Sequence, residues 1–474
     1  MQESNKQKDN WQRPLCVDLD GTLLKTDIFH ESLIQYICSN LLNLFRFLFL
    51  LVRYRKKSII KNIVAKESNI SLRNIPVNKD VLNFCMSEFR SGRKVVIASG
   101  CSEYIVNRLY SKFDFCSEIY TSSDQLNLIG ENKAHKLVEL YGEKGFDYIG
   151  DSKSDLAVWD KAFKSYLVGQ EKKFPKVQYE KVFEKPKSSL KTLFYTIRLN
   201  RLVKSLSVFA PIFLFNTPES LVKSNFLSLV IASLLLSLLS ISLYLINDLF
   251  DLEFDRRHLL RRARPVAAGK ISIAKTVISS LGLSLFSIAS VFLYFKLDVA
   301  LAFLIFFIVG FLYSYKLKYL AIVDIASKAF LNLSRFYIGC LILGLSLNFE
   351  VCLFILLFIA SFSCLDTYRI LAQNLAVNGT LDNIKNPYGL NDLFFLKSFS
   401  VSLLTFSMIS LLNVQIVNKW SGAFLLILSL YLFKGILNGK MKSYPLYYII
   451  NQRILQSAVV GFVIFFIIKQ YVIA

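Results

Sequence analysis

The sequence predicts two parts of different class: a doubly wound α/β domain over residues 1–170, then an all-α polytopic membrane domain of about nine spans over residues 196–474. Three observations predict this. Before Asn200, short apolar runs that end in polar residues alternate with helical stretches. After Arg201, apolar runs of about 20 residues, the length that crosses a bilayer, follow one another. Between the two, residues 171–195 are Lys-rich and weakly patterned, which reads as a linker.

In chain order, PLCVDLD (14–20), KVVIASG (94–100), CSEIYTSS (116–123), FDYIGD (146–151) and SYLVG (165–169) read as buried parallel strands. Ligands of such sheets sit at the carboxyl ends of the strands, where the polar residues of these runs fall. Residues 28–88 interrupt the sheet as a mostly helical insert. Within it, residues 41–57 are very apolar and end in a basic cluster. That stretch is either a cap helix packed on its own domain or an interfacial helix touching the membrane. The candidate spans follow at about 202–220, 225–247, 276–295, 298–314, 321–344, 349–366, 396–413, 419–435 and 455–473. The first is short and contains Pro211.

Charge sets the orientation and excludes a class of partner. Of 56 Lys and Arg, 24 lie after Asn200, against 11 acids there. Twenty of these 24 sit in loops between apolar runs or at the C-terminal end, sixteen on one side and four on the other. The positive-inside rule explains them and places the N-terminal domain in the cytosol, so nucleic acid is not an expected partner. The eight cysteines are scattered, with no metal-type spacing, and read as free thiols. The polar N-terminus has no apolar core of a cleaved signal.

Asp18 and Asp20 stand in D-L-D-G-T at the end of the first strand. One such carboxylate can attack phosphorus while the other protonates the leaving oxygen and then activates water. Gly21 permits a tight turn beside a phosphate. Ser99 closes the second strand and can donate to a phosphoryl oxygen. Lys133 can neutralise a phosphorylated aspartate, with Lys136 as its rival. Asp151 and Asp155, in G-D-S-K-S-D, offer hard oxygen ligands for magnesium. The ordered set D-x-D-G-T, strand Ser, Lys and G-D-S-x-x-D resembles the phosphatases of the haloacid dehalogenase (HAD) superfamily over residues 12–170. The resemblance implies a Rossmann-like fold with a helical cap at 28–88, a nucleophile at Asp18 and an acid/base at Asp20. It further implies phosphate contacts from Ser99 and Lys133, and a magnesium site drawn from Asp18, Asp20, Asp151 and Asp155.

In the second half, Asp248, Asp251, Glu253 and Asp255 fall within eight positions at the cytosolic end of the second span. On a helix, Asp248, Asp251 and Asp255 would share one face and repel unless a cation joins them. A magnesium-chelated polyphosphate meets that need, and Asn247 adds a neutral oxygen. Arg256, Arg257, His258, Arg261, Arg262 and Arg264 follow and can bind phosphate oxygens. The motif N-D-x-x-D-x-x-x-D, then R-P-x-A-A-G, resembles the UbiA superfamily of intramembrane prenyltransferases over residues 196–474. Supporting pieces are RLVKSLSVFAP (201–211) with Lys204, and YSYKLKYLAIVD (313–324) with Arg335 after it. Within that superfamily, D-R-R-H-L-L-R-R-A-R-P-V-A-A-G looks most like decaprenyl-phosphate phosphoribosyltransferases.

What these likenesses imply is a magnesium-held donor diphosphate at Asn247, Asp248, Asp251 and Asp255, completed by Tyr313, Lys318 and Asp324. The substrates implied are a polyprenyl phosphate or diphosphate and phosphoribosyl diphosphate, and the location is a bacterial inner membrane. The sequence departs from the pattern at Leu259, where that group has Pro, and at Ser205, where Asn is usual. The second D-x-x-x-D of aromatic prenyltransferases is here Asp324 then Lys328, which argues against an aromatic acceptor. An inactive lipid-binding membrane module is the expectation from a different class.

Overall fold

A computed structural model describes residues 13–68, 70, 74–109, 113–185, 203–215, 217–258, 261–346, 349–378, 387–413, 419–437 and 460–461. The chain divides into two compact units. One comprises residues 1–196 together with Asp248–Val277; the other comprises Ile197–Asn247 and Ile278–Ala474. The first unit therefore takes in the acidic and basic segment that the sequence places between two spans.

The first unit is built on six parallel strands: β1 (Leu15–Val17), β2 (Val95–Ser102), β3 (Glu118–Ser122), β4 (Asp147–Gly150), β5 (Ser165–Val168) and β6 (Lys181–Phe183). Their order is β3-β2-β1-β4-β5-β6. Strands β1, β4 and β5 are buried along their whole length, as continuous apolar runs covered on both faces must be. The order reverses between β1 and β4, so the crevice lies where these two strands end. Asp18 follows β1, Asp151 follows β4, and the Asp18 backbone N–H donates to Ile149 O at 3.0 Å.

The predicted insert forms α1 (Ile28–Ser39), α2 (Leu42–Arg53) and α3 (Lys57–Glu67). The next helix, α4 (Lys79–Arg90), packs Val81 and Cys85 into the core that holds Leu15 and Val17. It is thus the crossover into β2, and residues 79–88 belong to the sheet layers rather than to a cap. Helices α5 (Glu103–Leu109), α6 (Glu131–Tyr141) and α7 (Leu156–Lys161) complete the layers. The sheet runs past residue 170: β6 pairs with β5 and buries Phe183, inside the stretch read as linker.

The second unit is helical. A 3-10 turn (Val203–Phe209) leads into α8 (Ala210–Leu214), which stops at extended Phe215. The first candidate span is corrected accordingly: these twelve residues, with Pro211 near the helix start, cannot cross about 30 Å of hydrocarbon. Then come α9 (Glu219–Phe250), whose last residues enter the first unit, α10 (Leu252–Arg257) within the first unit, and α11 (Ile273–Tyr294). Helices α12 (Leu297–Tyr315), α13 (Val323–Ile342), α14 (Phe349–Asn378), α15 (Asp392–Asn413) and α16 (Lys419–Leu437) follow. Among the described residues four helices are long and apolar enough to cross a membrane: Glu219–Phe250, Ile273–Tyr294, Leu297–Tyr315 and Phe349–Gln373. The chain is an integral membrane protein. The candidate span at 455–473 lies almost wholly outside the described residues, and residues 186–202 lie outside them entirely.

Candidate functional site

At the end of β1 the backbone turns sharply through Gly21, whose φ is +74°. A Cβ there would meet Asp151 Oδ2 at 2.5 Å, so only glycine lets the β1 turn approach the β4 turn this closely. The closeness gathers carboxylates. Asp18, Asp151 and Asp155 have ligand oxygens all within 4.8 Å of one another, and they are the one such set among the described residues. Lys133, buried on α6, donates to Asp18 Oδ1 at 2.7 Å and lies 3.8 Å from Asp155 Oδ1. Lys136 pairs instead with Glu139 near the surface, so it is Lys133 that reaches the aspartates.

Three partners of this cluster escaped the sequence reading. The Tyr148 hydroxyl donates to Asp155 Oδ1 at 2.7 Å and accepts from Lys133 Nζ at 2.9 Å. Lys185 forms an ion pair with Asp151. The Cys101 thiol donates to Asp20 Oδ2 at 2.8 Å. Asp155 Oδ2 is held by the backbone N–H groups of Asp151 and Ser152, closing a capping box. Ser99 is fully buried, and its Oγ accepts from the Cys101 N–H at 3.1 Å.

Asp20 stands apart from the carboxylate set. Its Oδ1 accepts from Ile28 N at 2.9 Å, where α1 begins, and its Oδ2 faces Cys101. With both oxygens so engaged, its side chain is not one of the clustered metal ligands, which corrects the expected set. Burial pushes the Asp20 carboxyl up to about 7, with Asp27 adding to the rise. Burial also pushes Asp18 upward, and Lys133 opposes that rise. The three clustered carboxylates offer only hard oxygens beside two lysines, a donor set that fits magnesium.

The second acidic cluster also lies in the first unit, and it differs from the expected single helical face. Helix α9 ends at Phe250, and Asp251, with φ −94° and ψ 6°, caps the separate α10. Asp248, Asp251 and Asp255 are buried. The cation between them is Arg264, whose guanidinium lies 3.3 Å from Asp248 and closer still to Asp255. Asp255 Oδ1 is buried with no hydrogen-bond partner, an oxygen that a chelated cation would satisfy. Burial pushes the Asp255 carboxyl up to about 6, against the pull of Arg264.

The other predicted phosphate ligands scatter. Arg257 is exposed and paired with Glu253 on its own helix, which removes it from the cluster. Arg262 is exposed. Arg261 lies over the Phe254 ring at 5.4 Å, and buried His258 accepts from Arg261 N at 3.4 Å. Arg256 turns away to a bidentate pair with buried Glu31, at 2.9 and 2.5 Å.

In the second unit, Tyr313 donates to Asp324 Oδ1 at 3.0 Å, and Lys328 pairs with Asp324 Oδ2 at 2.7 Å. Lys318 donates to Asn247 Oδ1 at 2.9 Å. Ile322, just before Asp324, has φ +65°, a left-handed conformation costly for a β-branched residue. Lys204 is half-buried, and its backbone oxygen accepts from Ser207. Arg335, predicted as a substrate ligand, is buried over the Phe306 ring at 4.7 Å and donates to Leu331 O and Asn332 Oδ1.

Residues 206–437 match the UbiA prenyltransferase family. The C-terminal region is thus a UbiA-family domain. An uncharacterized protein, y4nM, of Sinorhizobium fredii (strain NBRC 101917 / NGR234) is 29% identical over 363 residues, covering 73% of this chain and 68% of its own. That share exceeds what residues 206–474 can supply, so the likeness extends into the N-terminal half. A UbiA homolog from Archaeoglobus fulgidus, solved bound to DMAPP and Mg2+, covers 58% of this chain and 96% of its own, at 16% identity and a TM-score of 0.40. A structure from work on digeranylgeranylglyceryl phosphate synthase covers 59% and 98%, at 19% identity and a TM-score of 0.40.

Proposed function

We propose that the chain is a bifunctional membrane enzyme of polyprenyl-phosphate metabolism. Its UbiA-family region transfers phosphoribose from phosphoribosyl diphosphate to a polyprenyl phosphate. Its α/β unit, which resembles HAD phosphatases, removes the 5-phosphate that such a transfer leaves on the ribose. The observation that carries the second activity is the Asp18, Asp151 and Asp155 set with Lys133 at 2.7 Å, at the switch point of the sheet. Support for the first is the family match, the buried Asp248–Arg264–Asp255 arrangement, and Lys328 on Asp324 where aromatic prenyltransferases have a second aspartate.

In the hydrolysis, an Asp18 oxygen attacks phosphorus and the ester P–O bond breaks. Asp20 gives its proton to the departing ribose oxygen; its raised pKa keeps that proton available near neutral pH. Water then attacks the aspartyl phosphate, Asp20 takes the water proton, and inorganic phosphate leaves. Lys133 holds Asp18 in place and offsets the crowded carboxylates. Magnesium, held by Asp18, Asp151 and Asp155, would supply positive charge to the phosphoryl oxygens. In the transferase, the Asp255 oxygen without a partner and Arg264 would face the diphosphate and its cation.

The test is detergent-purified protein with magnesium, a polyprenyl phosphate and radiolabelled phosphoribosyl diphosphate. Label in the lipid phase is expected. Turnover confined to a prenyl diphosphate with an aromatic acid would overturn the phosphoribosyl assignment.

A further inference from the structure

Helix α2 has two unlike faces. Inward, Phe47, Leu50 and Tyr54 pack with Tyr36, Ile60 and Val64, and Asn43 Nδ2 donates to Tyr36 O at 2.8 Å. Outward, Leu42, Leu44, Phe45, Leu48, Phe49, Leu51 and Val52 are exposed, from 40% at Leu44 to 87% at Val52. Seven large apolar side chains open on twelve residues form a patch that a soluble surface does not carry without a partner. The charge around it is one-sided: residues 32–66 hold seven Lys and Arg and no acid.

Length, charge and position name the partner. Twelve residues span about 18 Å, too short to cross a bilayer. An apolar face flanked by cations fits the boundary between headgroups and acyl chains of an anionic leaflet. Helix α1, which α2 follows, packs Ile34 against Leu249, Leu252 and Val266 and bonds Gln35 to Glu253. That segment is where α9 and α11, both long enough to span, join the unit. The exposed face therefore belongs to the unit through which the chain enters the membrane. Helix α3 ties the patch to the phosphate site: Lys61 donates to Gly100 O at 2.9 Å, beside Ser99, and Asn62 donates to Asp124 Oδ1.

We infer that α2 lies in the surface of an anionic leaflet and presents the α/β unit to a substrate that stays in the bilayer, a phosphate-ended lipid. The substrate class rests on the phosphatase reading; the surface contact does not.

The test uses the full chain in vesicles containing about 30% phosphatidylglycerol, an anionic surface. A fluorescent amino acid replaces Phe45 or Val52, with exposed Leu126 as the control. Quenching by nitroxide carried on lipid should be strong at Phe45 and Val52 and weak at Leu126. Equal quenching of all three by aqueous acrylamide would overturn the inference. So would protection from both quenchers, which would mean that protein, such as a second copy, covers the face. In parallel, combined Phe45→Glu, Phe49→Glu and Val52→Glu should lower hydrolysis of a bilayer-borne lipid phosphate at least about tenfold while sparing a water-soluble aryl phosphate. Equal loss on both would overturn the substrate class. Hydrolysis of neither by the unaltered chain would sink the phosphatase reading and leave the quenching result standing.

Discussion

At the residue scale, the α/β unit concentrates its chemistry on Asp18 and its neighbours. Asp18→Asn should abolish aryl phosphate hydrolysis by several orders of magnitude, and Asp20→Asn should lower it about 10²–10⁴-fold, with far-UV circular dichroism unchanged. Most of these residues were legible in the sequence because acids and a glycine at a strand end leave few other readings. Tyr148, Lys185 and Cys101 were not: Tyr148 takes its role from meeting Lys133 of α6, and Lys185 and Cys101 reach acids 34 and 81 residues away. Two histidines offer a separate check. His30 is raised by its bond to Asp27, whereas His258 is lowered by burial and by Arg261 and Arg264. In a selectively labelled sample, NMR should therefore show His30 titrating above about 6.5 and His258 below it. Asp27→Asn should bring the His30 midpoint down.

At the element scale, α1 links two acidic clusters within one unit. Its first N–H holds Asp20, and one turn later Glu31 takes both nitrogens of Arg256, which follows Asp255. Removing one member of this buried pair strands the other charge, so Arg256→Ala should cost about 3–5 kcal/mol in the unit's unfolding. Arg257→Ala, one residue on but exposed, should cost about 1 kcal/mol or less by the same thermal denaturation measurement. Strands β1–β5 were legible as apolar runs. Strand β6 was not: it is three residues long, sits among lysines and buries only Phe183, so pairing with β5 rather than periodicity makes it a strand. The single acidic face expected on one helix failed because the helix ends at Phe250 and Asp251 becomes a cap.

At the scale of the whole molecule, composition alone separated an α/β half from a helical membrane half, since apolar run length differs so plainly between them. It could not show that Asp248–Val277, a loop between spans by sequence, belongs to the α/β unit, because that depends on contacts such as Glu31–Arg256 and Ile34 against Leu252. Asp248→Asn and Asp251→Asn should lose lipid labelling yet retain aryl phosphate hydrolysis, and Asp18→Asn should do the reverse. The central claim is that both activities serve one lipid product. Its most direct test is the labelled lipid made from phosphoribosyl diphosphate by the unaltered chain and by Asp18→Asn, separated side by side. The unaltered chain should yield ribose without its 5-phosphate, and Asp18→Asn the same lipid retaining that phosphate. Identical lipid from both would contradict it.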